Sequence, residues 1–281
     1  MHEPVDDPTQ QPSSGPLRIG AVSYLNTKPL VYGLSELLPA AELSFDYPSC
    51  LADSLATGDL DIALVPSIEL ASHPEWSIIS DACIGSLGPV LSVKLMFRVP
   101  PPDVRELALD EGSRTSSVLA QILLSELFGV RPQLTRLPLG REPDESAADA
   151  VLVIGDRAIR SRQHEFVEEW DLGDRWCRWA ELPFVFAMWV ARPGVATEAV
   201  GAALAAARDR GCQNLGTIAR DQAAAMQLPL QLVEDYLYRN LYFQMGPLQR
   251  QGLEFYYQQA AKLGLIHTVP RVTVDDCHLE H

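Results

Sequence analysis

Three consecutive prolines, Pro100-Pro101-Pro102, interrupt this chain, and on either side of them the sequence follows one order. No strand or helix runs through such a stretch, because each proline fixes φ and lacks the N–H that a ladder or a helical turn needs. The repeated order is a short apolar run, a small polar turn and a helical pattern. Before the prolines, Leu17–Val22 reads as a strand, Pro29–Leu38 as a helix and Glu42–Tyr47 as a second strand. A short helix then starts with Ser49 as N-cap and ends at Gly58, and Asp61–Val65 is a buried strand. After them come a short strand at Leu107–Leu109, a helix at Ser116–Phe128 stopped by Gly129, and strands at Gln133–Leu137 and Ala150–Ile154. Strand–helix–strand units of this kind build mostly parallel sheets, so the expected class is α/β. "DLDIALVPS" (59–67) and "AADAVLVIGD" (147–156) form a weak internal echo, since buried parallel strands resemble one another.

Two more extended stretches, Trp76–Ile84 and Val90–Val99, lead up to the prolines, and Phe184–Val190, between Pro183 and Pro193, reads as a return crossing. Helical periodicity occupies Val195–Asn214, Leu230–Arg239 and Leu248–Leu263, with Gly264 as a stop. The expected architecture is a two-lobed clamshell. Residues 17–99 plus 191–278 form lobe 1, and 100–190, including the return crossing, form lobe 2. Residues 1–16 are expected to be a disordered leader and 279–281 a tag remnant. Open sheets of this type bind ligands at the carboxyl ends of their strands, here in the cleft between the lobes.

Net charge is −15, so the overall field repels nucleic acid and anionic lipid, and neither is an expected partner. An anionic ligand has to be held by local donors. No apolar run has the length of a bilayer span, and "MHEPVDDPTQQPSSGP" has neither a basic nor an apolar signal region, so the expected location is cytoplasmic. Cys50, Cys83, Cys177, Cys212 and Cys277 are scattered and read as reduced thiols, and the histidines show no metal-ligand spacing. No Walker A loop, Gly-x-Gly-x-x-Gly turn or Gly-x-Ser-x-Gly elbow is present.

Donors gather at the turns facing the expected cleft. Ser23, Tyr24, Asn26 and Thr27 follow the first strand, where capping by Asn26 or Thr27 competes with ligand binding as the explanation. Ser67 after "ALVP" again suits an N-cap, and Ser92 lies beside apolar residues in "SVKLMF", where a lone serine more often faces solvent than does chemistry. In "DEGSRTSSVLAQILL", Gly112 permits a tight turn while Ser113, Thr115, Ser116 and Ser117 crowd a helix start. Only one of those hydroxyls is needed as a cap, so the surplus argues for an anion. Arg114 reads as solvated. Gly155 and Asp156 end another strand, with Asp156 equally suited to capping. Trp170, Trp176, Trp179, Trp189, Phe184 and Phe186 read as core around the return crossing.

Six of these segments in order, "IGAVSYLNTKPL", "DLDIALVPSIE", "GPVLSVKLMF", "ALDEGSRTSSVLAQILL", "LVIGDRA" and "DLGDRWCRWAELPFVFAMW", resemble the chorismate dehydratases of the futalosine route to menaquinone. The sister enzyme that forms dihydroxynaphthoate has Ser-Pro-Asp where this chain has Tyr-Leu-Asn. The resemblance implies a type 2 periplasmic-binding-protein-like fold and a reaction without cofactor or metal, in which chorismate loses water to give 3-[(1-carboxyvinyl)oxy]benzoate. For that chemistry, Thr115, Ser116 and their amides are expected to hold one carboxylate, and Ser23 and Asn26 the other or the leaving hydroxyl. Ser92 is a further donor, and Tyr24, Ser67, Gly155 and Asp156 complete the binding set. The base is expected to be the substrate's own enolpyruvyl carboxylate, positioned by Asn26, with Asp156 as the alternative. Two other readings stay open: a cytoplasmic small-anion binding protein of the same fold, and the dihydroxynaphthoate-forming enzyme. A homodimer is also left open.

Overall fold

The computed structural model describes residues 15–160 and 166–273. Residues 1–14 of the expected leader, Cys277 and the tag at 279–281 lie outside the described residues. The chain begins with β1 (Arg18–Val22), buried along most of its length. In place of the helix expected at Pro29–Leu38 comes a 3-10 turn, Leu25–Val31, and then a single helical turn, α1 (Leu34–Leu37). Pro29 inside the stretch removes an i→i−4 donor, and Gly33 at φ 70° breaks the path, so only a tighter turn is sustained. β2 (Glu42–Asp46) follows, then α2 (Pro48–Thr57), ended by Gly58 at φ 83°, then the buried β3 (Ile62–Pro66) and β4 (Ser77–Ser86).

Next come β5 (Val93–Phe97), β6 (Glu106–Asp110), α3 (Arg114–Phe128), β7 (Gln133–Leu137), β8 (Ala150–Ile154) and the short α4 (Asp156–Arg160). β9 (Glu168–Asp171) leads directly into α5 (Leu172–Ala180), where the Asp171 carboxylate accepts the Asp174 N–H as a cap. β10 (Phe184–Ala191) returns the chain to α6 (Glu198–Gln213), α7 (Leu215–Met226) and α8 (Leu230–Asp235). A π-turn (Tyr236–Asn240), β11 (Tyr242–Gln244) and α9 (Pro247–Lys262) complete the described fold.

Two sheets result, in the orders β11-β4-β10-β3-β1-β2 and β7-β6-β8-β5-β9. β1 pairs parallel with β2 and β3, and β6 parallel with β7 and β8, which gives the two halves the same local plan. The crossings, however, exchange places relative to the sequence expectation. β5, grouped there with 17–99, runs antiparallel between β8 and β9 in the second sheet. β10, grouped with 100–190, runs antiparallel between β3 and β4 in the first. Each crossing therefore occurs before its strand, at 87–92 and 181–183, and not at the prolines. All residues of β10 are buried, the pattern of a strand covered on both faces, and that pattern does not identify the sheet that owns it.

Candidate active site

Both lobes contribute to one cavity in the cleft. Its polar lining is Tyr24 and Asn26 from the turn after β1, Ser92 from the first crossing, and Ser113, Thr115 and Ser116 from the start of α3. Val22, Pro66, Ile84, Val90, Ile154 and Phe186 supply an apolar floor. Among the described residues no Asp, Glu, Lys, Arg or His side chain lines it. Neutral donors in an apolar surround interact strongly with a desolvated anion, because neither water nor a fixed counter-charge competes.

The start of α3 is the strongest donor group. Ser113 is its N-cap residue yet makes no side-chain cap bond, and Ser117 Oγ turns back to the Ser113 carbonyl. The first-turn amides of a fifteen-residue helix thus have no side-chain cap and open on the cavity, where the helix dipole favours negative charge. Thr115 is also a structural link. Its Oγ1 accepts the Ile68 N–H at 3.2 Å and lies 3.4 Å from Ser67 Oγ, which in turn donates to the Val185 carbonyl at 2.8 Å. Tyr256 OH donates to the Thr115 carbonyl at 2.9 Å and Tyr257 OH to that of Ser67. The Ser67 hydroxyl is therefore committed to the protein, and Ser67 does not line the cavity.

Asn26 is buried, and Thr27 Oγ1 lies 3.4 Å from its Oδ1, placing the amide oxygen against the protein and leaving Nδ2 as the donor end. Ser92 is held through its backbone. Its N–H donates to the Val90 carbonyl at 2.7 Å and its carbonyl accepts from Gly155 N–H at 2.8 Å. The turn before it passes through Leu91 at φ 60°, a conformation disfavoured for leucine that Asp171 enforces by accepting the Val90 and Leu91 amides. Burial raises the Asp171 carboxyl pKa, and these amides pull it back down.

Tyr24 lies flat against Gly155, and its hydroxyl is buried with no hydrogen-bond partner. Burial, with the Asp110 carboxylate nearby, pushes this phenol well above its ordinary pKa, so it stays neutral. Asp110 is itself closed off. It accepts from Gly112 N–H at 3.0 Å and Ile154 N–H at 3.1 Å, and pairs with Arg157 Nη2 at 2.5 Å.

Besides Ser67, two more of the expected residues stand outside the lining. Ser23 is exposed, with its N–H on the Asp46 carbonyl, and it does not line the cavity. Strand alternation explains this: Val22 faces the cavity, so the next side chain faces away. Asp156 also lies outside the lining, its carboxylate accepting the Leu25 N–H at 3.1 Å across the lobe boundary. Burial raises its pKa, and the Leu25 amide opposes that. Arg114, expected in solvent, pairs with Asp53 and Glu69 of the first lobe. Sequence reasoning missed Tyr236, whose phenol reaches Ser92 and Asn26, because an aromatic in an apolar helical pattern carries no mark of a polar contact. Among the described residues no three His, Cys, Asp or Glu side chains converge as a metal-ligand set.

Two mixed sheets joined by two short crossing segments, with donors converging in the cleft, define a periplasmic-binding-protein-like α/β protein. Solved structures agree on the fold. A protein from Archaeoglobus fulgidus superimposes with a TM-score of 0.70 at 15% identity, covering 90% of this chain and all of that one. The alkanesulfonate-binding protein of Xanthomonas axonopodis gives 0.60 at 14% identity over 92% and 98%. The profile of the menaquinone biosynthesis family matches residues 17–262, and the chain belongs to that family. A Thermus thermophilus relative named chorismate dehydratase is 31% identical over 268 residues, 89% of this chain and 96% of its own length. Among the described residues no helix is long and apolar enough to cross a membrane.

Proposed function

We propose that this protein is a chorismate dehydratase, a carbon–oxygen lyase that takes the C3 proton and the C4 hydroxyl of chorismate as water and releases 3-[(1-carboxyvinyl)oxy]benzoate. The observation that carries this reading is the cavity itself: a helix start without a side-chain cap, together with Asn26 and Ser92, and no charged side chain of the described residues in the lining. Such a site suits a small dianion that must lose its water shell but not meet a competing acid.

Loss of the C3 proton builds charge that the C1–C2 double bond passes to the ring carboxylate. In this reading the α3 amides with Ser116 stabilise that developing dienolate. Ser92 and Asn26 meet the leaving hydroxyl and the enolpyruvyl carboxylate. Since no carboxylate of the described residues lines the cavity and Asp156 is engaged with the Leu25 amide, the enolpyruvyl carboxylate is the base in this reading. Departure of the C4 hydroxyl with that proton forms the C3–C4 double bond, and aromatisation drives the step. Catalysis is then largely positioning. Incubation with chorismate tests it, followed by ultraviolet absorbance and by mass for the loss of one water. Chorismate that is bound but unchanged would instead support a binding protein of the same fold.

A further inference from the structure

Tyr236 opens the one π-turn among the described residues, directly after α8. Insertions of this kind cost regular hydrogen bonding and cluster at functional sites. Here the turn is tied at both ends to the residues that build the cavity. At its start the phenol, 1% exposed, reaches the side chains of Ser92 and Asn26. At its end Asn240 Nδ2 donates to the Pro89 carbonyl at 2.8 Å, in the crossing that carries Ser92. The i→i+5 pattern takes the residues after Tyr236, Asn240 among them, out of α-helical register.

The geometry points to Tyr236 as a positioning residue that fixes the Ser92 hydroxyl and the Asn26 amide against each other, so that each presents a hydrogen to the bound anion. This rests on the dehydratase reading and extends it to a residue outside the cavity lining. A phenol has one proton to give, and Ser92 and Asn26 together have three. With the Asn26 oxygen turned to Thr27, the phenol donates to the Ser92 oxygen and accepts from Asn26 Nδ2, which leaves the Ser92 O–H and the second Asn26 N–H for the substrate. Burial pushes the phenol far above its ordinary pKa, against the pull of Ser92 and Asn26, so it acts as a neutral donor and not as the base.

Tyr236→Phe removes one oxygen and keeps the ring. The expected result is a kcat lowered about tenfold or more with KM changed less than about threefold, the mark of contacts that matter in the transition state. In the Ser92→Ala background the same substitution should lower kcat by a smaller factor than it does alone, because part of its effect passes through Ser92. An unchanged kcat in Tyr236→Phe, or losses that multiply in full, overturn the assignment. Should Tyr236→Phe fail to fold, Asn240→Ala loosens the same turn from the surface. A lowered kcat at constant KM then supports the assignment and an unchanged one overturns it. Wild-type protein that leaves chorismate intact overturns the dehydratase reading and this assignment together, whereas wild-type turnover matched by Tyr236→Phe overturns this assignment alone.

Discussion

A β-carbon at position 155 would meet Tyr24 Cζ at 2.5 Å and both Cε atoms at 2.7 Å, on a backbone already at φ 70°. Gly155→Ala is therefore expected to push the Tyr24 ring into the cavity, raise KM about tenfold and cost about 1–3 kcal/mol, read by steady-state kinetics and denaturant unfolding. Asn26→Asp keeps shape and changes charge. With no cation among the described residues of the lining to offset it, the new carboxylate faces the substrate's own, and kcat/KM should fall by about 100-fold or more. Activity retained at the wild-type level removes Asn26 from the mechanism. Residue types alone located the donor-rich turns, and the structure places Asn26, Ser92, Thr115, Ser116, Tyr24 and Gly155 around one cavity. What they did not reveal is direction. Ser23 follows Val22 with the opposite facing, and Ser67 spends its hydroxyl on Val185.

Asp61 shows how element ends are held. At the start of β3 its carboxylate accepts the Arg18 backbone N–H at 3.0 Å and pairs with Arg18 at 2.8 Å and Arg192 at 2.9 Å, gathering the start of β1 and the end of β10. Burial works against its charge, but the Arg18 and Arg192 bonds outweigh it and hold the pKa at about 2. A carboxyl with a lowered folded-state pKa stabilises the protein above its unfolded value, and that contribution fades as pH falls from about 4 towards 2. Asp61→Asn should therefore cost about 1–2 kcal/mol at pH 7 in denaturant titrations, with the gap to wild type narrowing below pH 4. Equal gaps at pH 7 and pH 3 contradict it. The strand–helix order was legible because buried strands are apolar and helices carry a 3.6-residue period. Sheet membership was not, because β10 is buried throughout and β5 at every position but Lys94, a pattern that fits either lobe. The π-turn was also hidden, since α8 and the turn after it share one helical apolar pattern.

On the scale of the whole molecule, the arginine nearest the donor turn serves the protein and not the ligand. Arg114 leaves the first turn of α3 and crosses to the other lobe, 3.1 Å from Glu69 and 2.6 Å from Asp53, while Thr115 meets Ile68 and Asp156 meets Leu25 across the same boundary. These contacts hold the lobes together around an uncharged cavity, in a chain whose net charge of −15 would otherwise oppose a dianion's approach. Glu69 is only 4% exposed; burial raises its pKa and Arg114 draws it back down. Replacing Arg114 by Gln leaves that carboxylate without its cation whenever the lobes are shut, so the closed form becomes costly. We expect KM to rise about three- to tenfold, with a larger radius of gyration in solution scattering. The sign of the pH effect follows. In Arg114→Gln the closed form holds a proton on Glu69 that the open form releases, so lower pH favours closure and KM should recover as pH falls from 8 towards 5. Glu69→Gln in the same background should abolish that recovery and restore much of the affinity, because the buried charge is then gone. A single variant with wild-type KM at every pH would remove Arg114 from the closure of the cleft.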